Sequence, residues 1–134
     1  HPRSLESMSF EFQDFETLVE IPGEGQVRLV LSDDLDAADA PLSPEMTARI
    51  ADALDKAPGW LAVARERIRE EFPDGEAPGL TSVCVLSEPP EPWRFGVSFW
   101  VAEDREHGRG LQFAATETGG YTVVEYGGAE VAFY

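Results

Sequence analysis

The chain has 134 residues, of which 43% are hydrophobic, a length and composition that suit one folded domain with a single core. Its 26 acidic and 10 basic residues give a formal net charge of −16, which repels nucleic-acid phosphates and anionic membrane surfaces. The charge therefore argues against direct DNA or RNA binding and favours a cationic protein as any macromolecular partner. No apolar run approaches the ~20 residues of a membrane helix, and no secretory signal pattern is visible.

The ends of the chain and its cysteine content suggest a single cytoplasmic domain. Residues 1–7 carry no hydrophobic pattern, so we expect a cloning remnant there and one α+β domain over residues 8–134, from a bacterial source with GC-rich, arginine-biased coding. Cys84 is the single cysteine and lies in an apolar run, which is typical of a small buried residue in a reducing compartment. We expect no cofactor.

The N-terminal third predicts a β-hairpin followed by an acidic loop. Apolar and polar residues alternate at the start of residues 9–21, where Phe10 and Phe12 share one face, and again over residues 26–32. The intervening segment 22–25 reads PGEG, which favours a turn. Residues 33–42 follow without any period and contain Asp33, Asp34, Asp36 and Asp39.

Two helices are predicted in the middle of the chain. Ser43, Pro44 and Glu45 supply a capping hydroxyl, a proline at the first helical position and an acidic first turn. This start and the helical spacing of apolar residues predict a first helix over about 43–57. We expect the APG segment at residues 57–59 to end it. A second helix is expected over about 60–72, with its mixed-charge face in solvent.

The rest of the chain predicts strands. Apolar alternation and glycine-containing turns mark segments 80–87, 93–101, 111–116, 121–128 and 129–134. The strand over 93–101 would bury Trp93, Phe95, Val97, Phe99 and Val101 on one face and place Trp100 on the other. We therefore predict an α+β fold: an antiparallel sheet of about five or six strands, with both helices packed on one face.

One segment, WVAEDREHGRGLQF at residues 100–113, concentrates chemically active side chains. Asp104, Glu106 and His107 are metal-ligand and acid–base types, but neighbouring residues of a turn point in different directions and no second histidine or cysteine ligand completes a shell. A strand connector explains them better: Asp104 would accept from the amides of Glu106 or His107, and Gly108 and Gly110 would supply positive φ. We expect neither a catalytic residue nor a metal in this corner.

The corner also carries a family resemblance. Asp104, Glu106, His107 and Gly108, with the flanking strands, resemble small uncharacterised bacterial domains encoded in and around polymorphic-toxin immunity loci, over about residues 80–128. The pattern continues with an aliphatic residue after the glycine, where this chain has Arg109. The resemblance implies an immunity-like inhibitor without an established enzymatic activity.

These observations lead to a binding hypothesis with two alternatives. The protein would neutralise a cationic partner, such as a cognate nuclease toxin, by occlusion. Asp33, Asp34, Asp36 and Asp39 would attract the partner, and Trp100 would anchor it unless the ring packs in the core under the helices.

The first alternative is an enzyme or metal-dependent ligand-binding domain centred on Glu103, Asp104, Glu106 and His107, which a deep pocket or a cation beside His107 would favour. The second is an accessory domain with no toxin link.

Overall fold

The computed structural model describes residues 16–32, 43–87 and 92–133. In these ranges the chain forms six strands and two α-helices, and the predicted α+β class is confirmed. Their order is β1 (Glu16–Ile21), β2 (Gly25–Leu31), α1 (Pro44–Asp55), α2 (Ala57–Glu71), β3 (Gly79–Val85), β4 (Arg94–Trp100), β5 (Arg109–Ala115) and β6 (Tyr121–Gly127). Two 3₁₀ helices, Ala102–Asp104 and Ala129–Phe133, follow β4 and β6. The predicted strand positions Phe10 and Phe12 lie outside the described residues.

The strands form one sheet in chain order, β1-β2-β3-β4-β5-β6. The predicted hairpin of β1 and β2 is confirmed, and the pairs from β3 to β6 are also antiparallel. The prediction of an antiparallel sheet was wrong for β2 and β3, which are parallel. The chain between them contains both helices, and such a long crossover can return a strand in the same direction, as a short hairpin turn cannot.

The first helix begins as the sequence indicates, but the second begins at Ala57, earlier than the predicted start at about residue 60. The Ser43 hydroxyl oxygen accepts a hydrogen bond from the backbone N–H of Met46 at 3.1 Å and so caps α1. The junction is a single residue, Lys56, and the segment 57–59, expected to separate the helices, forms the first turn of α2. Proline is tolerated there because a first-turn N–H has no partner within its helix.

The main core contains alternate residues of the strands together with residues of both helices. The predicted buried face of the fourth strand is confirmed, since Trp93, Phe95, Val97, Phe99 and Val101 are all buried. Trp60 of α2 reaches this face, with ring centroids 5.4 Å from Phe95 and 5.9 Å from Phe113. Its indole N–H also donates to the carbonyl of Ala53 at 2.8 Å, which joins α2 to α1.

The face of β4 and β5 opposite this core is covered by the C-terminal 3₁₀ helix. The Gln112 side-chain amide donates to the carbonyl of Val131 at 2.8 Å, and Gly96 is buried beneath Ala132. The prediction of a further strand over 129–134 was wrong, because Ala129–Phe133 is a 3₁₀ helix. Apolar alternation in so short a segment does not distinguish a strand from a turn of helix that packs on glycine.

The contact at Gly96 provides a test of this covering segment. A Cβ at residue 96 would lie 2.0 Å from the backbone oxygen of Ala132, so Gly96→Ala must displace the 3₁₀ helix. We expect Gly96→Ala to lower the free energy of unfolding by about 1–3 kcal/mol in urea denaturation, as overpacking does. Gly59→Ala is the matched control, since a Cβ there meets open space in the first turn of α2 and should not destabilise. Equal stability of both variants would contradict the assignment.

Candidate functional site

The corner between β4 and β5 is built around Asp104. Its Oδ1 accepts a hydrogen bond from the backbone N–H of His107 at 3.2 Å and lies 3.0 Å from Nδ1 of the same residue. The predicted capping by Asp104 is therefore confirmed at His107. The His107 side chain is 68% exposed, and Glu103 and Glu106 are exposed as well. The corner thus projects from the surface.

Its two glycines serve different purposes. Gly108 has a φ of 66°, as predicted, and a Cβ there would lie 2.5 Å from the carbonyl oxygen of Phe99. The prediction of positive φ was wrong for Gly110, whose φ angle does not lie in the left-handed region. Gly110 is required for another reason: a Cβ would lie 2.8 Å from the Gly128 oxygen, where the chain leaves β6 toward the 3₁₀ helix.

Arg109 connects the corner to the C-terminal end of α2. Its Nε and Nη2 donate to the two carboxylate oxygens of Glu71 at 2.9 and 2.7 Å, and its Nη1 donates to Oδ2 of Asp104 at 2.6 Å. The guanidinium also lies over the ring of Phe72, 4.8 Å from the centroid, and the side chain is only 14% exposed. A bidentate pair with this much shielding fixes orientation as well as distance.

Tyr126 completes the network by donating from its hydroxyl to Oε1 of Glu71 at 2.6 Å. The hydrogen bonds from Arg109 and then Tyr126 lower the pKa of Glu71 to about 2. Those from Arg109 and then His107 lower the pKa of Asp104, while burial and then the bond to Glu71 raise the pKa of Tyr126 to about 12. Both carboxylates are thus ionised and the phenol protonated at neutral pH, a pattern typical of a structural ion-pair network.

Trp100 stands at the end of β4, beside this corner. It belongs to the strand face opposite Phe99, and its register partner on β3 is Gly79, which has no side chain to cover it. The residue is 38% exposed, with the guanidinium carbon of Arg105 5.7 Å from the ring centroid. The reading of Trp100 as a core residue under the helices is therefore wrong, and its role as a partner anchor stays a prediction.

A carboxylate-rich surface surrounds this end of the sheet. We call it the acidic corner; its members are Asp74, Glu76, Glu103 and Glu106, all exposed. The loop after α2 contacts the corner between β4 and β5, because a Cβ on Gly75 would overlap the Glu103 carboxylate. None of the four carboxylates forms an ion pair with another described residue. The predicted partner-binding residues Asp33, Asp34, Asp36 and Asp39 lie outside the described ranges, and their role stays a prediction.

The described clefts lie away from His107. One of about 440 Å³ and one of about 470 Å³ share Lys56 and Tyr121, whereas the concavity that includes Glu103 has a volume of only about 20 Å³. Among residues 16–32, 43–87 and 92–133, no group of three or more His, Cys, Asp or Glu side chains is arranged to hold a metal ion. No α-helix in these ranges is long and apolar enough to cross a membrane.

No family model, curated protein or solved structure matches this chain. The resemblance to immunity-locus domains therefore stays a prediction. It directed attention to Asp104 and Gly108, which do shape the corner, but not to Glu71, Arg109 and Tyr126. One signal was available in the sequence: Arg109 stands where the pattern has an aliphatic residue, and it is one of only 10 basic residues.

Glu71→Gln tests the network, because it keeps the shape of the side chain and removes its charge. Since the folded-state pKa of Glu71 is lowered from 4.5 to about 2, its contribution is present above pH 4.5 and is lost as the pH falls toward 2. The side chain is 38% exposed, so solvent screening limits the expected loss at pH 7 to about 1 kcal/mol. Thermal melts at pH 7 and pH 3 should show a difference from wild type that shrinks in acid.

Glu70→Gln is the matched control for this experiment. Glu70 is well exposed and lies 3.7 Å from Arg67 in a surface pair, so its neutralisation should change the melting temperature little at either pH. If both substitutions had the same effect at pH 7, the Arg109 network would contribute nothing beyond general surface charge.

Proposed function

We propose that the protein is an immunity-like binding protein that neutralises a cationic partner protein by occlusion. The partner we propose is a cognate bacterial toxin, such as a nuclease, encountered in the cytoplasm. The observation that supports this function best is the combination, on one end of the sheet, of the exposed Trp100 ring and the unpaired carboxylates of the acidic corner.

The distribution of charge leaves this surface negative. Six of the nine basic residues in the described ranges form ion pairs with acidic residues of the same chain: Arg28, Arg49, Lys56, Arg65, Arg67 and Arg109. Most of the positive charge is therefore neutralised internally, and the surplus of carboxylates faces solvent. Such a field attracts a basic protein before contact and raises its association rate.

Trp100 supplies the apolar contact that charge alone does not. A tryptophan ring can stack on a guanidinium while nearby carboxylates pair with its charge, and tryptophan is enriched among residues that dominate binding energy. Arg105 already lies over this ring, so the site tolerates a guanidinium there. An arginine from a basic partner would meet the same chemistry.

The salt dependence of association tests the electrostatic part of the proposal. The partner to assay first is the product of the adjacent open reading frame, purified as an inactive variant. Because the screening length shortens from ~10 Å at 0.1 M to ~3 Å at 1 M salt, kon measured by biolayer interferometry should fall steeply while koff changes less. If kon did not change with salt concentration, electrostatic steering would be ruled out, and the negative charge would serve only to keep the protein soluble.

Charge neutralisation identifies the surface responsible. One variant converts the acidic corner to Asn and Gln, and a second converts Asp33, Asp34, Asp36 and Asp39 to Asn. The control neutralises four exposed carboxylates on other elements, Asp55, Glu66, Glu117 and Glu125, and thus has the same net charge. We expect both test variants to slow association more than the control. Equal slowing by all three would mean that net charge acts without a defined docking surface.

Trp100→Ala tests the anchor. Loss of the exposed part of the ring should speed dissociation by a factor equivalent to ~2 kcal/mol or more, and because the ring is only 38% exposed, loss of its buried part should also lower the melting temperature. Val63→Ala, which truncates an exposed apolar side chain on α2, is the control and should alter neither. A Trp100→Ala protein that melts earlier but dissociates at the wild-type rate would assign the ring to folding rather than binding.

A further inference from the structure

Arg105 differs from the other cations that lie over aromatic rings. Within residues 16–32, 43–87 and 92–133 these cations are Arg49, Lys56, Arg65, Arg67, Arg105 and Arg109. All of them except Arg105 also form an ion pair with an acidic side chain, which fixes the cation independently of the ring. Arg105 is exposed, and its contact with Trp100 is not reinforced by an ion pair with any described residue.

The contact between Arg105 and Trp100 is weak enough to be exchanged. The guanidinium carbon lies 5.7 Å from the ring centroid, close to the ~6 Å limit of cation–π attraction, whereas Arg67 lies 4.1 Å from the centroid of Tyr126. At an exposed site such a contact favours the bound arrangement by only about two- to fivefold. Arg105 therefore occupies the ring without closing it permanently.

The turn that carries Arg105 does not depend on this side chain. The backbone N–H of Gly108 donates to the carbonyl of Asp104 at 2.8 Å, and that of Asp104 donates to the carbonyl of Val101 at 3.3 Å. Arg105 itself has ordinary right-handed helical angles, with φ −63° and ψ −27°. The side chain can thus leave the ring while the backbone of the turn keeps its shape.

We propose that Trp100 is a subsite for an arginine side chain of the partner protein and that Arg105 occupies this subsite in the free protein as an internal competitor. The identity of the ligand as a protein side chain rests on the proposed function. The incoming guanidinium stacks on the ring, and Arg105 moves into solvent. This competition lowers the affinity for any entering cation by about two- to fivefold. Lysine displaces Arg105 less well, because its compact ammonium lacks the planar group that stacks on a ring.

A peptide titration tests the subsite on the protein alone. The probe is the blocked peptide Gly-Arg-Gly, with Gly-Lys-Gly as its equally charged counterpart. Nuclear magnetic resonance of the indole N–H of Trp100, whose signal Trp100→Phe assigns, measures the binding. The arginine peptide, titrated to millimolar concentration, should shift this signal saturably and the lysine peptide should shift it less. The indole N–H of Trp60, bonded to the carbonyl of Ala53, serves as the internal reference and verifies folding of each variant.

Substitution of Arg105 tests the competition. Arg105→Ala should strengthen binding of the arginine peptide by about two- to fivefold, because the internal competitor is removed. Arg105→Lys keeps the charge but loses the planar group, so it should also strengthen binding, by a smaller factor. Arg69→Ala is the matched control, because Arg69 is exposed and lines the small concavity that includes Glu103. It makes the same surface more negative by one charge without uncovering a ring, and its gain should be clearly smaller.

Three outcomes would overturn the inference. Equal gains in Arg105→Ala and Arg69→Ala would mean that only net charge acts, and weaker binding in Arg105→Ala would make Arg105 a contact for the peptide. A Trp100 signal that no variant shifts with the arginine peptide would exclude the subsite, even if a partner protein binds through Trp100. Failure of the proposed function is distinguishable: the product of the adjacent reading frame would not bind, while the arginine peptide would still shift the Trp100 signal.

Discussion

The hydrogen bonds of Arg109 to Glu71 and Asp104 fix the end of the sheet that we propose as the partner-binding surface. They tie the first residue of β5 to the last residue of α2, elements 38 positions apart in the chain, and hold the turn between β4 and β5 against the helix. The acidic corner and the exposed ring of Trp100 are carried by the segments that this contact joins. Because the bidentate geometry fixes direction as well as distance, their spacing depends on it.

The same interaction separates two kinds of carboxylate that look alike in the sequence. Asp104 and Glu71 are held ionised and paired, and they stabilise the corner. Glu103 and Glu106 lie in the same segment but have no such partner among the described residues, so their charge is directed outward. The acidic residues of this corner therefore have two roles. Asp104 stabilises the turn through its pair with Arg109, whereas Glu103 and Glu106 contribute negative charge to the surface.

Local signals allowed much of the fold to be predicted, and long-range contacts account for what was missed. The Ser43 cap and the alternation around Phe95 act within a few residues, and both were confirmed. The parallel pairing of β2 with β3 depends on the path of the crossover, which no local period encodes. Glu71 was assigned to a solvated helix face because its partner Arg109 lies 38 residues away. The burial of Gly96 likewise depends on the C-terminal segment.

The two tryptophans at the ends of strand β4 are in opposite situations, one partly exposed and one buried. Trp100 presents an exposed ring among unpaired carboxylates, a setting that suits a charged macromolecular surface. The ring of Trp93 is only 6% exposed and lies with its centroid 5.9 Å from that of Phe95, so this tryptophan belongs to the core. A partner that contacts Trp100 can therefore act on the core only if β4 or its packing shifts. The Phe95 and Phe113 rings, stacked with centroids 5.5 Å apart in the middle of the core, oppose such a shift. The surface proposed to bind a partner is therefore attached to a strand whose position the core packing fixes.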